Sequence, residues 1–183
     1  MQKSPSPRSE RDGRVAVIET TDEWERRIGE LWDAFGDDTD ETEFVASLDR
    51  LVAELPPGSA IGSFERACAF DSTGHSDRAV PLYAAALERG LRGVRRRRAV
   101  IQMSSSLRNL GEPQTAVDLL RRELDVEVDA LTPAVQAVLA LALTDIGRER
   151  EAVSIALTAL AGYLPRYNRS MARYARELLD ETD

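Results

Sequence analysis

Three adjacent residues, His75, Ser76 and Asp77, are of the types that form a nucleophilic triad. Neighbours in sequence on a turn do not point at one another as that chemistry requires, so we interpret Ser76 or Asp77 as a helix N-cap. The one cysteine, Cys68, has no second histidine to activate it and is interpreted as a structural thiol. The sequence therefore predicts no catalytic residues and no enzyme activity.

The segment 37–43 is dense in oxygen ligands, with five acidic side chains among its seven residues. It lacks the glycine and the distal glutamate of an EF-hand loop. Acidic residues at a helix start are stabilised by the helix macrodipole, which is our interpretation of this run. The chain also has no glycine-rich phosphate loop and no Cys/His cluster. We predict neither a metal site nor a cofactor.

Four consecutive arginines, at positions 95–98, stand at the start of a predicted helix. Positive charge opposes the macrodipole there by about 0.3–1 kcal/mol for each exposed site. Three explanations would offset that cost: a bound anion, ion pairs with neighbouring helices, or screening by solvent. The candidate ion-pair partners are Glu65, Glu88, Asp125 and Glu127. We favour the structural explanations, because a stack of helices brings such acids close.

A second basic stripe lies near the C-terminus. It consists of Arg166, Arg169, Arg173 and Arg176, spaced three, four and three residues apart, so that they share one helical face. The other face holds Tyr167, Met171, Tyr174 and Leu178. The stripe is interpreted as the solvated side of an amphipathic helix. The alternative is a surface for an acidic partner, including the acidic N-terminal third of another copy.

The net charge of −8 is carried by the N-terminal third of the 183 residues. Residues 1–60 contain 15 acids and 7 bases, and residues 61–183 contain 17 of each, so nucleic-acid binding by the first third is disfavoured. A single cysteine excludes an internal disulfide. The polar first 14 residues lack the apolar run of a signal peptide, and the longest uncharged stretch, 131–144, falls short of the roughly 20 residues that span a bilayer. We predict a cytoplasmic protein.

One spacing repeats along the chain and predicts the elements that position these residues. Gly74, Gly111 and Gly147 lie 37 and 36 residues apart, and each begins the pattern Gly-x4-Ala-Val-x6-Leu. We expect first helices near 59–73, 94–110 and 132–146, second helices near 76–89, 113–127 and 149–162, and the glycines in the turns between them. Two earlier amphipathic segments predict an N-terminal hairpin that lacks the glycine.

The segment from about 59 to 162 resembles three tetratricopeptide repeats. The family places one small residue on each first helix and two on each second helix. The matching positions are Ala67, Ala79 and Ala86, then Ser104, Ala116 and Glu123, then Ala140, Ala152 and Ala159. Glu123 departs from that pattern, and the first-helix tryptophan and the final proline of the family are missing. The resemblance implies an all-α, right-handed stack of antiparallel helical hairpins that provides docking surfaces for proteins.

The predicted organisation is a disordered tail followed by a single helical-repeat domain. The tail is 1–19 and the domain is 20–183, divided into an atypical hairpin (20–57), three repeat units (59–91, 94–128 and 131–163) and a C-terminal capping helix (165–181). The first helix of the third unit is apolar nearly all round, so we expect it to be covered on both sides. The cover would be the capping helix, the tail with its apolar run 15–18, or a second subunit.

The resemblance implies that the first helices line a concave groove, and the middle one is the best candidate site. Its groove positions are Arg98, Ile101, Gln102, Ser105, Arg108 and Asn109. We predict a scaffold or regulatory adaptor that binds a protein or peptide in this groove. Arg98 and Arg108 would hold an acidic group of the partner. Gln102, Ser105 and Asn109 would hydrogen-bond the partner's backbone. One alternative is a self-associating structural protein, a homodimer through the third repeat and the C-terminal helix. The other, disfavoured by the net charge, is a nucleic-acid accessory protein that uses the arginine stripes.

Overall fold

The computed structural model describes residues 20–180, and over this range the chain forms α-helices and no strand. The helices are α1 (Asp22–Asp33), α2 (Glu41–Val52), α3 (Ala60–Ser72), α4 (Ser76–Glu88), α5 (Gly93–Asn109), α6 (Pro113–Leu124), α7 (Thr132–Asp145), α8 (Glu149–Ala161) and α9 (Asn168–Asp180). The all-α prediction is confirmed. None of these helices is long and apolar enough to cross a membrane. The predicted tail, residues 1–19, lies outside the described residues.

Each repeat unit is a hairpin whose turn depends on one glycine. Gly74, Gly111 and Gly147 have φ angles of +80°, +80° and +74°, in the left-handed region that residues with a Cβ avoid. In each turn the N–H of the next residue donates to a carbonyl five residues back, as in a Schellman motif. These bonds are His75 N to Phe70 O at 2.8 Å, Glu112 N to Leu107 O at 2.9 Å and Arg148 N to Leu143 O at 2.9 Å. The predicted turn glycines are confirmed, and the hairpins are α3–α4, α5–α6 and α7–α8.

The first helices form one layer of the stack and the second helices form another. Helix α3 packs on α5, and α5 packs on α7, whereas α4, α6 and α8 do not pack against one another within the described residues. Helices α6 and α8 are linked across this gap by the surface ion pair Arg121–Glu151 at 2.7 Å. A stack whose helices touch in one layer and are separated in the other is curved toward the touching layer. The concave side is therefore lined by α3, α5 and α7.

Small residues fill the contact between the two helices of a unit. In the first and second units, Ala67, Ala79, Ala86, Ser104 and Ala116 are fully buried, with 0% of each residue exposed. Close approach of two helices needs side chains of this size. Glu123, which replaces a small residue of the family pattern, is also buried, with 2% of the residue exposed. A carboxylate at that depth requires a cationic partner.

The N-terminal hairpin α1–α2 packs on the first unit through α2, and its two tryptophans hold α1 in place. Its helices begin at side-chain caps, where Thr21 Oγ1 and Asp40 Oδ1 accept the N–H groups of residues 24 and 43. Trp24 Nε1 donates to the carbonyl of Leu51 at 2.8 Å and so ties α1 to α2. Trp32 Nε1 donates to Glu65 Oε2 at 3.0 Å and so ties α1 to α3.

The last helix, α9, packs on α8, and its backbone does not approach α7 among the described residues. Ala175 on α9 is fully buried, and its carbonyl accepts the Ser154 hydroxyl of α8 at 2.6 Å. The C-terminal helix therefore does not cover the third unit's first helix. That helix, α7, is covered instead by α5, α6 and α8, and it leaves a narrow exposed stripe at Ala137, Leu141 and Thr144.

Candidate protein-binding surface

The predicted groove residues lie together on the concave side of α5. Arg98 and Asn109 are exposed, and the other four, Ile101, Gln102, Ser105 and Arg108, are half-buried. The twelve residues from Arg98 to Asn109 span about 16 Å along the helix axis. The helix therefore presents a cation near one end and polar side chains along three turns.

Arg98 lies over an aromatic ring. Its guanidinium carbon is 5.3 Å from the ring centroid of Phe64 on α3, within the range of a cation–π contact. Among the described residues no carboxylate pairs with Arg98, which remains exposed. Phe64 itself is fully buried, so it holds the cation from below without being open to a ligand.

Arg108, by contrast, is already engaged. Its Nε lies 2.6 Å from Asp145 Oδ2 at the end of α7, and the two side chains are 18% and 37% exposed. Asn109 Nδ2 donates to Ser76 Oγ at 3.3 Å, and Gln102 Oε1 accepts the Cys68 thiol at 3.5 Å. An incoming acidic group therefore competes with no carboxylate of the described residues for Arg98, whereas it must compete with Asp145 for Arg108.

The predicted structural role of Cys68 agrees with its surroundings. The residue is 1% exposed beneath α5. Burial and the neighbouring Glu65 raise the pKa of this thiol to about 12, so it stays protonated at neutral pH. The predicted N-cap is wrong, because α4 begins at Ser76, its N-cap residue is His75, and no side chain caps it. Ser76 is buried and faces Asn109, while the exposed His75 ring lies edge-on to Phe70 at 6.4 Å.

Three of the four consecutive arginines are ion-paired to other helices. Arg95 Nε lies 2.9 Å from Glu65 Oε1 and its Nη2 lies 2.6 Å from Glu25 Oε2, while Arg96 Nη1 lies 2.6 Å from Glu123 Oε1. The hydrogen bond from Arg95 lowers the pKa of Glu25. The structural explanation of the run is supported by these pairs. Of the four partners expected, only Glu65 pairs through its carboxylate within the described residues, and Glu25, Glu123 and Asp129 were missed.

Arg97 is the most deeply buried of these arginines, with 1% of its side chain exposed. Its Nη1 donates to both the carboxylate and the carbonyl of Glu123, at 2.9 and 3.1 Å. Its Nη2 donates to the carbonyl of Glu127 and the hydroxyl of Thr132, both at 3.1 Å. Its Nε lies 2.9 Å from Asp129 Oδ1, although the N–H does not point at that oxygen. Arg97 thus joins α5 to the end of α6 and the start of α7.

The secondary basic surface is only partly helical. Arg166 precedes α9, while Arg169, Arg173 and Arg176 are exposed on it. Arg173 pairs with Glu177 at 2.8 Å and lies 4.6 Å from the ring centroid of Tyr174. The predicted apolar face is correct for Met171 and Leu178, which are half-buried, and wrong for Tyr167 and Tyr174, which are 74% and 50% exposed. The stripe is a solvated helical face with tyrosines beside it.

Comparison with known proteins agrees with this architecture. The family model described as Tetratrico peptide repeat matches residues 60–178. A solved structure of MamA, MSR-1 C2, is similar with a TM-score of 0.52 and 16% identity, covering 88% of this chain and 90% of that one. A point mutant of MamA gives a TM-score of 0.51 and 17% identity, covering 85% and 88%. No curated protein sequence matches the chain significantly. Because the family model spans well over half of its length, the chain belongs to the tetratricopeptide repeat family.

Proposed function

We propose that the protein is a non-catalytic scaffold that binds an acidic peptide segment of a partner protein on the concave face of α5. The proposal rests on which arginines of α5 are ion-paired. Arg95, Arg96, Arg97 and Arg108 are all ion-paired, whereas Arg98 is exposed on the concave side with no carboxylate among the described residues. A carboxylate on a partner would complete the pairing of this cation.

The residues around Arg98 suit a peptide with apolar side chains next to its acidic group. Leu141 on α7 is 52% exposed, and Ile101 on α5 is half-buried between the helices. Ser105 and Gln102 offer polar atoms to a peptide backbone along the same helix. The proposed ligand therefore has an acidic residue with apolar residues on its C- or N-terminal side.

The matched pair Arg98→Gln and Arg78→Gln tests this proposal. Arg78 also lies over a phenylalanine, at 3.7 Å from the Phe70 centroid, but it stands on α4 in the outer layer. Peptides would be selected from a random library on the immobilised wild-type protein, and their affinities measured by fluorescence anisotropy. We expect selected peptides to contain Asp or Glu, and Arg98→Gln to weaken them about tenfold or more, as for loss of a charge-assisted hydrogen bond.

Arg78→Gln should change those affinities by less than about twofold, because its charge is remote from the groove. Arg108→Gln should have an intermediate effect, since a ligand at Arg108 competes with Asp145. Peptides that lack acidic residues, or that bind Arg98→Gln as well as the wild type, would show that Arg98 is not the recognition residue.

A further inference from the structure

The second helix of each internal unit has an apolar stripe that packs on the next unit. On α4 the stripe is Val80, Tyr83 and Leu87, and on α6 it is Val117, Leu120 and Leu124, at equivalent positions of the repeat. Tyr83, Val117 and Leu120 are fully buried and the other three are half-buried. The helices that cover them are α5 and α7, the first helices of the following units. The repeat thus shows what normally covers this stripe.

The third unit has the same stripe, but it is uncovered. Val153 and Leu160 on α8 are 49% and 48% exposed, and Ala156 between them is exposed as well. Helix α9 does not cover them, because it packs on the side of α8 that carries Ser154, about 100° around the helix from Val153. Repeat stacks ordinarily end in a polar cap. We call these three residues, Val153, Ala156 and Leu160, the terminal stacking face.

The charge distribution indicates what covers this face. None of its three residues is charged, whereas the N-terminal hairpin, residues 20–58, carries 12 acids and 3 bases. Contacts run in chain order from α1 to α9, so the acidic hairpin lies at the far end of the stack. Two copies that meet through their terminal stacking faces place these acidic hairpins at opposite ends of the dimer, which limits the repulsion between them.

The chain's own N-terminal segment is a poorer candidate. Its one apolar run is only four residues long, residues 15–18. It also joins the domain at residue 20, at the acidic end of the stack.

We propose that the terminal stacking face is the contact surface of a two-fold homodimer, in which α8 packs antiparallel against α8 of a second copy. The stripe is self-complementary in this arrangement. Val153 lies opposite Leu160 of the second copy, and Ala156 lies beside the two-fold axis, where its small side chain lets the helices approach. The contact is isologous, so it closes at two subunits. It leaves Arg98 and the concave face of α5 accessible.

Sedimentation equilibrium over a concentration series tests the dimer with Leu160→Glu and a matched control, Leu179→Glu. Leu179 is on α9 and is equally exposed, at 48%. We expect the wild type and Leu179→Glu to be dimers, and Leu160→Glu to raise the dissociation constant at least about tenfold. Because Leu160 is exposed, the variant should keep the wild-type circular dichroism spectrum and its peptide binding at Arg98. The two proposals can therefore fail separately.

A crosslinking experiment tests the position of the axis. Ala156→Cys should form an intermolecular disulfide under mild oxidation, whereas Ala46→Cys, exposed on α2 in the acidic hairpin, should not. The native Cys68 is buried and should not contribute. A wild-type protein that is monomeric at all concentrations overturns the proposal. So does a dimer that Leu160→Glu leaves intact, that Leu179→Glu dissociates equally, or that Ala156→Cys fails to crosslink.

Discussion

Replacing Glu123 with glutamine should lower the free energy of unfolding by about 3–5 kcal/mol, the usual cost of removing one partner of a buried ion pair. Glu123 Oε1 lies 2.9 Å from Arg97 Nη1, and the two side chains are 2% and 1% exposed. The neutral amide leaves the charge of Arg97 buried. Asp129, the one carboxylate then left beside it in the described residues, is 32% exposed, so solvent weakens its attraction.

The other contact of Glu123 contributes little to this figure. Arg96 Nη1 is 2.6 Å from the carboxylate, but its side chain is 36% exposed and can turn to solvent when the partner is lost. The cost is therefore assigned to Arg97. Removing both charges with apolar residues of similar volume, as in Arg97→Met with Glu123→Leu, avoids the orphaned charge. The double variant should be more stable than the sum of its single changes implies, by about 2 kcal/mol or more.

Urea unfolding followed by circular dichroism measures these differences, provided that the slope m is the same for all variants. Glu88→Gln on α4 is the control, because Glu88 is exposed and its change should stay within about 0.5 kcal/mol. About 1 M NaCl should leave the Glu123 effect intact, since buried pairs are screened less than surface pairs. The reasoning would be refuted if Glu123→Gln lowered the free energy of unfolding by less than about 1 kcal/mol. It would also be refuted if the effects of Arg97→Met and Glu123→Leu were additive in the double variant.

Three further predictions concern packing and turns. Ser104→Ala should leave stability unchanged or raise it by up to about 1 kcal/mol, because the buried hydroxyl has no hydrogen-bond partner in the described residues. Ser106→Ala should lower the stability by about 1.5–3 kcal/mol, because the Ser106 hydroxyl donates to Asp71 Oδ1 at 2.6 Å. Equal effects of the two serine changes in urea unfolding would contradict both predictions. Gly111→Ala should lower the free energy of unfolding by about 1–2 kcal/mol, because Gly111 has a positive φ. Gly29→Ala should raise it by about 0.5–1 kcal/mol, because Gly29 lies within α1 and a Cβ there meets open space. Thermal unfolding of the two variants should therefore show shifts of opposite sign. Cys68 should resist a thiol reagent at mildly alkaline pH until urea is added, because burial raises its pKa to about 12, and fast reaction of the folded protein would show that α3 and α5 separate.

The hairpins could be predicted from sequence because their signals are local. A glycine is required where φ reaches about +80°, and the Ala-Val pair that follows it marks the packed side of the second helix. Both requirements act within a few residues of the turn. The predicted helix positions therefore agree with the structure to within a few residues at Gly74, Gly111 and Gly147.

The ion-pair partners could not be predicted in the same way. Glu25 and Arg95 are 70 residues apart and meet because α1 lies across α3 close enough for both carboxylates, Glu25 and Glu65, to contact one guanidinium. That geometry depends on how three hairpins stack on one another, which no local sequence pattern encodes. Glu123 did carry a signal, because an acid in place of a small buried residue needs a buried cation, and Arg97 is that cation.

The orientation of α9 was predicted incorrectly for a related reason. Its amphipathic pattern favours the large residues Tyr167 and Tyr174 on the buried side. In the structure Ala175 is the fully buried residue of α9, and there the helices approach until the Ser154 hydroxyl bonds the backbone carbonyl at 2.6 Å. A contact that close admits alanine and turns the tyrosines outward. Hydrophobic periodicity ranks residues by polarity, whereas this interface selects them by size.

The arginine run connects the fold to the proposed binding site. Four consecutive helical residues spread over about 300° of the helix circumference, so their side chains must leave α5 in different directions. Arg95 meets the carboxylates of α1 and α3, Arg96 and Arg97 meet Glu123, and Arg98 is directed to the concave side over Phe64. The first three fix the rotation of α5 about its axis, and that rotation in turn sets where Arg98 points. Loss of Glu123 should therefore weaken acidic-peptide binding even in the folded protein, although Glu123 is buried away from the ligand.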